Sequence, residues 1–466
     1  MEPRRRKSQS DRLTPPAEAA TGCAIVIGPY LRERPARASG VRADVARDVD
    51  SRLEEAVGLA RAIDLDVVDA GIVSLNAITP ATYIGKGKVE EIAGLVKTNE
   101  AGLVLLDCAL SPVQQRNLER AWNAKVVDRT GLILEIFGER ARTREGTLQV
   151  EHAHLSYQKG RLVRSWTHLE RQRGGFGFLG GPGETQLEAD RRVIEVRLAR
   201  IERDLEGVKR TRKLHRLSRK RVPYPVVALV GYTNAGKSTL FNRLTGAAAL
   251  EADMLFATLD PTLRAVQLPQ GTKAIISDTV GFISDLPTTL IAAFRATLEE
   301  VIEADIILHV RDISHPDAEA QRQDVSDVLR ELGIDVEDDR RVIELWNKID
   351  RLNAQERMLL ANFVERQPQE RRAVLTSAIS GEGLEKVGEA IEARLANRRV
   401  TLALRVPASD GEGMAWLHRN ADVVSKRLAS DDTMLVTVRA DLGKAERARQ
   451  RFEEVRTKAR SKRAQA

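Results

Sequence analysis

The chain has 466 residues, of which 42% are hydrophobic, 30% charged and 4% aromatic, with two cysteines and a net charge of +7. At roughly 150 residues per domain, that length calls for about three domains rather than one core. The composition excludes a disulfide-stapled or thiolate-metal protein, since Cys23 and Cys108 stand far apart without metal or redox spacing and are expected as buried thiols kept reduced.

Residues 1–20 are charged and Pro-containing, and read as a disordered tail. Their basic start (Arg4, Arg5, Arg6, Lys7) has no apolar stretch behind it, so it is no secretory signal. No apolar run approaches the ~18 residues that cross a bilayer. The expected location is the cytoplasm, in part at the periphery of a membrane. Residues 21–143 then alternate strand and helix patterns. A strand is expected over 24–27, and a helix over 45–63 with Leu53, Val57, Ala60 and Ile63 on one face. Another strand spans 103–107. Ser111 can cap a helix that runs to Trp122 with Pro112 at its first position. Apolar stretches at 126–127 and 132–137 complete an N-terminal α/β domain.

Residues 144–221 hold two long helical patterns. Leu148, Leu155, Leu162, Trp166 and Leu169 form one heptad-like seam, and Ile194, Leu198, Ile201, Leu205 and Val208 another. Between them, six glycines fall in residues 174–183, which no helix sustains. An antiparallel hairpin with a flexible tip accounts for both, each arm reaching roughly 40 Å. Phe176, Phe178 and Leu179 make that tip too apolar for a plain linker. Eight Lys or Arg and no acid occupy residues 209–221, and the last twenty residues are also basic. Two such runs point to a polyanionic partner.

The third region, 222–399, carries the chemistry. An apolar strand over 225–230 runs into Gly231, Tyr232, Thr233, Asn234, Ala235, Gly236, Lys237 and Ser238, a GxxxxGKS phosphate loop opening a helix. Its backbone N–H groups and helix N-terminus suit phosphates. Lys237 is placed to neutralise the β- and γ-phosphates and Ser238 to ligate Mg²⁺. A strand over 273–277 delivers Asp278, Thr279, Val280 and Gly281. Asp278 is expected to hold Mg²⁺ through water, and the Gly281 N–H to meet the γ-phosphate. After a strand over 342–346 come Asn347, Lys348, Ile349 and Asp350. The Asp350 carboxylate can accept two N–H bonds from guanine, which adenine does not offer. Ser377 and Ala378 fit the loop that reads the guanine carbonyl. Phe256, Ala257, Thr258, Leu259 and Asp260 precede Pro261 and Thr262; Thr258 is expected to complete the Mg²⁺ shell, with Thr262 as the alternative. Position 282, where many GTPases place a water-orienting glutamine, is Phe282, so unaided hydrolysis should be slow. Asn234 either steadies the loop or, as in GTPases with a GxxNxGK[ST] loop, binds a K⁺ that supplies positive charge. Lys237, Thr258, Gly281 and Phe282 thus occupy the positions that decide the hydrolytic step.

Residues 400–466 read as a strand at 401–406, a helix at 413–428, a strand at 434–439 and a helix from Lys444. The expected fold is α/β: an N-terminal α/β domain with a helical hairpin, a P-loop GTPase domain with a doubly wound sheet, and a small C-terminal α+β domain with a basic tail.

With these motifs in place, the chain resembles HflX-type GTPases, ribosome-associated translation factors, from about residue 22 to 397. The resemblance rests on the GTPase motifs, on Tyr83-Ile84-Gly85-Lys86-Gly87-Lys88, on residues 140–149, and on the long string 174–188. It implies an N-terminal domain and hairpin that dock on the large ribosomal subunit, with the tip near the peptidyl-transferase region. It also implies that the GTP-bound protein separates stalled ribosomes into subunits under stress. The partners would be GTP or GDP and large-subunit rRNA, with the protein a monomer not inserted in a membrane. Two other readings stay open: a GTPase of ribosome assembly or RNA modification, and a membrane-surface signalling GTPase, the latter lacking a lipidation motif. Gly85-Lys86-Gly87-Lys88 falls short of a second phosphate loop.

Overall fold

Ala24, Ile25, Val26 and Ile27 are all buried, because β1 (Cys23–Leu31) lies inside a parallel sheet covered on both faces. The computed structural model describes residues 22–32, 47–172, 182–219, 224–246, 255–256, 262–284, 298–338, 340–397, 399–429 and 432–455. In the N-terminal domain β2 (Asp66–Leu75), β3 (Leu103–Leu106) and β4 (Lys125–Asp128) join β1 in the order β2-β1-β3-β4. Its helices are α1 (Val49–Arg61), α2 (Lys86–Thr98), α3 (Pro112–Trp122) and α4 (Arg129–Arg140). The helix expected from residue 45 starts at Val49, because the Asp48 carboxylate accepts the Ser51 N–H and caps it. Ser111 and Gln114 form a reciprocal capping box, with Pro112 first in α3 as expected.

The sequence patterns did not show β2 or α2. The edge strand β2 is half exposed and carries Asp66, Asp69 and Gly71, poor strand formers. Helix α2 contains Gly87 and Gly94. The Gly85-Lys86-Gly87-Lys88 string is the entry to α2: Gly85 caps it, and Lys86 and Lys88 pair with Glu90 and Glu91 in solvent. Cys23 and Cys108 are free and only partly buried, not fully buried as expected; burial pushes the Cys108 thiol up.

The hairpin arms are α5 (Arg144–Gln172) and α6 (Pro182–Arg219). Leu155 packs with Leu198 and Ile201, flanked by Leu148, Ile194 and Leu205. Glu151–Arg197 at 2.6 Å and Lys159–Glu195 at 3.2 Å fix the arms antiparallel. Pro182 and Gly183, read from the sequence as part of the tip, open α6. Phe176, Phe178 and Leu179, and the side chains of Trp166, Leu169 and most of the 209–221 basic run, lie outside the described residues.

The GTPase domain is a six-stranded sheet, β10-β9-β8-β5-β7-β6, parallel except for β6 against β7. Its strands are β5 (Val226–Gly231), β6 (Thr262–Gln267), β7 (Lys273–Asp278), β8 (Ile306–Asp312), β9 (Val342–Asn347) and β10 (Val374–Leu375). They alternate with α7 (Lys237–Thr245), α8 (Ala318–Glu331), α9 (Ala354–Glu365) and α10 (Leu384–Asn397). The C-terminal domain runs β11 (Arg399–Pro407), α11 (Gly411–Asn420), β12 (Asp422–Leu428), β13 (Thr433–Asp441), α12 (Leu442–Arg451) and β14 (Glu453–Glu454). This corrects the single helix expected over 413–428. The helix stops at Asn420, and 422–428, with β-branched Val423 and Val424, pairs antiparallel with β13. The result is a βαββαβ unit.

One apolar cluster joins the N-terminal and GTPase domains. Phe137 of α4 meets Phe256 edge to face, ring centroids 4.7 Å apart, and Leu255 lies against Gly58 of α1. The hairpin seam is smaller and depends on a few side chains. Ile201→Ala should therefore weaken it by ~2–4 kcal/mol. Amide hydrogen exchange should quicken along α5 and α6 and stay slow in β5 and β8; equal loss of protection in all of them would mean the seam is not a separable unit.

Candidate nucleotide site

The carboxyl ends of β5, β7, β8 and β9 open on one edge of the sheet, where a doubly wound fold binds its ligand. Gly231 ends β5 so close to β8 that a Cβ there would stand 2.2 Å from the Val310 carbonyl oxygen. Gly236 has φ +90°, and a Cβ on it would reach 2.3 Å from Asn347 Nδ2. Between them Asn234 is exposed with φ +57°, and Thr233 and Ala235 are buried. Lys237, first in α7, is buried and donates from Nζ to the Tyr232 carbonyl at 2.6 Å. Burial brings its pKa down to about 8, opposed by Asp278 and assisted by Lys348.

Ser238 Oγ donates to Asp278 Oδ2 at 2.8 Å. This hydroxyl and carboxylate are hard oxygen donors side by side at the phosphate edge, the set that suits Mg²⁺ shared with phosphates and water. Thr262 begins β6 directly opposite Asp278. Ala257, Thr258, Leu259 and Asp260 lie outside the described residues. Beyond Asp278, the Thr279 hydroxyl donates to the Leu229 carbonyl, and Val280 is buried. Gly281 runs so near the phosphate loop that a Cβ would lie 2.9 Å from Thr233 Cγ2 and 3.1 Å from Lys237 Nζ.

Phe282 is zipped to the same loop. Its N–H donates to the Gly231 carbonyl at 3.1 Å, and its carbonyl accepts from the Thr233 N–H at 2.7 Å. Its ring is buried in the core, so it neither faces phosphate nor can orient water.

At the end of β9, Asn347 Nδ2 donates to the Ala235 carbonyl at 2.8 Å, while its Oδ1 accepts from the Ala378 N–H at 3.0 Å. One side chain thus ties the phosphate loop to the Ser377–Ala378 loop. Lys348, at φ +65°, pairs with Asp312 at 2.7 Å. Ile349 is buried, and Asp350 is exposed in the short turn that follows. Ser377 is buried and its hydroxyl accepts the Ser380 N–H.

Three residues that the sequence did not single out complete the surroundings. Tyr232 Oη donates to Glu55 of α1 and accepts the Ser284 N–H at 2.9 Å. Arg129 of α4 donates to the Ser284 carbonyl at 3.1 Å and to its hydroxyl at 2.8 Å. Glu55, Arg129 and Ser284 carry no motif, and two of them come from another domain. A cleft of about 430 Å³ between α1 and the loop is lined by Arg52, Glu55, Thr233 and Asn234.

A phosphate loop, a DxxG segment and an NKxD segment gathered on one sheet edge define a P-loop GTPase, and the chain hydrolyses GTP. Residues 50–138 match the family described as GTP-binding GTPase N-terminal, 140–219 the GTP-binding GTPase Middle Region, and 226–348 the 50S ribosome-binding GTPase. GTPase HflX of Magnetococcus marinus is 50% identical over 84% of this chain and 89% of its own length. That of Escherichia coli K12 is 44% identical over 80% and 87%. The chain belongs to the HflX family of GTPases. Among solved structures, a GTP-binding protein of Sulfolobus solfataricus in complex with GDP is 21% identical, covers 80% of this chain and 99% of its own, and has a TM-score of 0.42.

Asn347→Ala removes both ties between the two loops and leaves a buried carbonyl and N–H without partners, at a cost of ~1–3 kcal/mol. GTP and GDP affinity should fall together, by roughly 5- to 100-fold, in a fluorescent-nucleotide titration. A loss confined to GTP would show that the residue serves the γ-phosphate instead.

Proposed function

We propose that this GTPase is a translation factor that binds the large ribosomal subunit and, with GTP bound, separates stalled ribosomes into subunits under stress. The observation that carries this reading is where the N-terminal domain sits. Through Leu255 and Phe256, Tyr232, and Ser284 it touches all three GTPase segments that surround the phosphates, and it carries the long hairpin. A partner held by the hairpin is thereby within reach of the nucleotide state. The matched family description, 50S ribosome-binding GTPase, supports the ribosome as that partner. The basic runs support contact with rRNA phosphates. Among the described residues, no helix is long and apolar enough to cross a membrane, and we take the protein to act as a cytoplasmic monomer.

Lys237 and the loop N–H groups would hold the β- and γ-phosphates, Gly281 would sense the γ-phosphate, and Asp350 would select guanine. Ser238, Asp278 through water, and Thr258 would hold Mg²⁺, which when bound offsets phosphate charge. With Phe282 buried, this chain offers no side chain at 282 to aim the attacking water. Asn234, exposed with φ +57°, would bind K⁺ in support or steady the loop.

Sedimentation with ribosomes tests the reading: binding to large subunits should be strong with a non-hydrolysable GTP analogue and weak with GDP, and 70S particles should separate. Binding only to immature particles would favour an assembly role. Hydrolysis by the free protein should be slow, faster with large subunits, and lower when Na⁺ replaces K⁺; turnover indifferent to both would falsify this scheme. Asp350→Asn should lose GTP affinity and gain XTP affinity. An unchanged preference for GTP would reassign base selection to another residue.

A further inference from the structure

We infer that Arg129 is a positioning residue for GTP hydrolysis and that, through its neighbour Asp128, it couples the segment after Gly281 to the first hairpin arm. This inference rests on the GTPase activity and not on the identity of the partner. The chain from Gly281 to Ser284 is anchored at three points. Phe282 is hydrogen-bonded to Gly231 and Thr233, the Ser284 N–H to Tyr232, and the Ser284 carbonyl and hydroxyl to Arg129. The first two anchors belong to the GTPase domain. The third crosses to the N-terminal domain, as does the bond from Ser284 Oγ to Glu55 at 3.1 Å.

Arg129 is itself held rigidly. Its guanidinium is 6% exposed and pairs with Asp107 and, at 2.5 Å, with Glu55. Glu55 also accepts from Ser284 Oγ at 3.1 Å and from the Tyr232 hydroxyl. A carboxylate shared by phosphate loop, switch segment and guanidinium makes their positions interdependent.

The preceding residue grips the hairpin. Asp128 caps α4 through the Gly131 N–H at 2.9 Å and accepts the Leu110 N–H at 3.1 Å. The same carboxylate accepts from Tyr157 Oη at 2.5 Å and from Arg161 Nη2 at 2.6 Å, both on α5. Arg161 stacks over the Tyr157 ring, 4.2 Å from its centroid. Asp128 and Arg129 share one peptide bond at the mouth of β4. A movement of Ser284 that drags Arg129 therefore re-aims the carboxylate on which the arm is seated.

The test is a double-mutant cycle on nucleotide discrimination. Ser284→Ala removes the hydroxyl that meets Arg129 and Glu55; Tyr157→Phe removes the hydroxyl on Asp128, on the hairpin arm. Each deletes one oxygen and leaves the Arg129 ion pairs intact, and a melting curve on each verifies folding. The readouts are the affinity ratio of a non-hydrolysable GTP analogue to GDP, and kcat against KM. Both variants should change the ratio, by roughly 2- to 30-fold for a network residue, and in the same direction. Tyr157→Phe should have almost no further effect in the Ser284→Ala background. Ser284→Ala should alter kcat more than KM. An unchanged ratio in either single variant, or two effects that simply multiply, overturns the coupling.

Discussion

A guanidinium removed from water must find its partners within the protein, and Arg129 finds them on both sides of a domain junction. Desolvating an ion costs several kcal/mol, and the loss is offset only when geometry and further hydrogen bonds are good. Here Asp107 and Glu55 supply the countercharge from the N-terminal domain, and Ser284 supplies two neutral oxygens from the GTPase domain. The junction cannot slide freely, because any displacement would strip acceptors from a buried cation. Phe137 against Phe256 adds apolar burial beside it. Apolar contact tolerates small shifts; the ionic network gives the junction its single register.

The same economy of contacts shapes the nucleotide site. Gly231, Gly236 and Gly281 occupy places where a side chain would collide with Val310, Asn347 or Thr233, so the loop can lie flat on the sheet edge. Asn347 then fastens it from the far strand. Lys237 is buried at the start of α7 with its ammonium on the Tyr232 carbonyl, and that burial lowers its pKa.

Much of this could be read from the chain because the phosphate loop, DxxG and NKxD segments are local strings whose chemistry depends on backbone geometry. The α/β class and the hairpin followed from periodicity, and the Ser111 cap from a two-residue signal. What escaped were features set by distant neighbours. The edge strand β2 carries acids and a glycine and is a strand by virtue of pairing with β1. Residues 422–428 prolonged a helical pattern, yet β13 recruits them as a strand. Glu55, Arg129 and Ser284 belong to no motif; only the fold brings residues 55, 129 and 284 together. Phe282 was read as a missing glutamine, and its burial adds that the ring also fills the core.

The seating of α5 has a mechanical side. Tyr157 and Arg161 lie about 20–25 Å from the start of the arm, and the helix continues for about 16 Å beyond them, at 1.5 Å per residue. The grip on Asp128 is thus a fulcrum set partway along a stiff rod. A tilt of a few degrees there is invisible in any single hydrogen bond, yet it displaces the far end of the rod by about an ångström or more. The length of the arm, and no added energy, converts the precision of one carboxylate into reach.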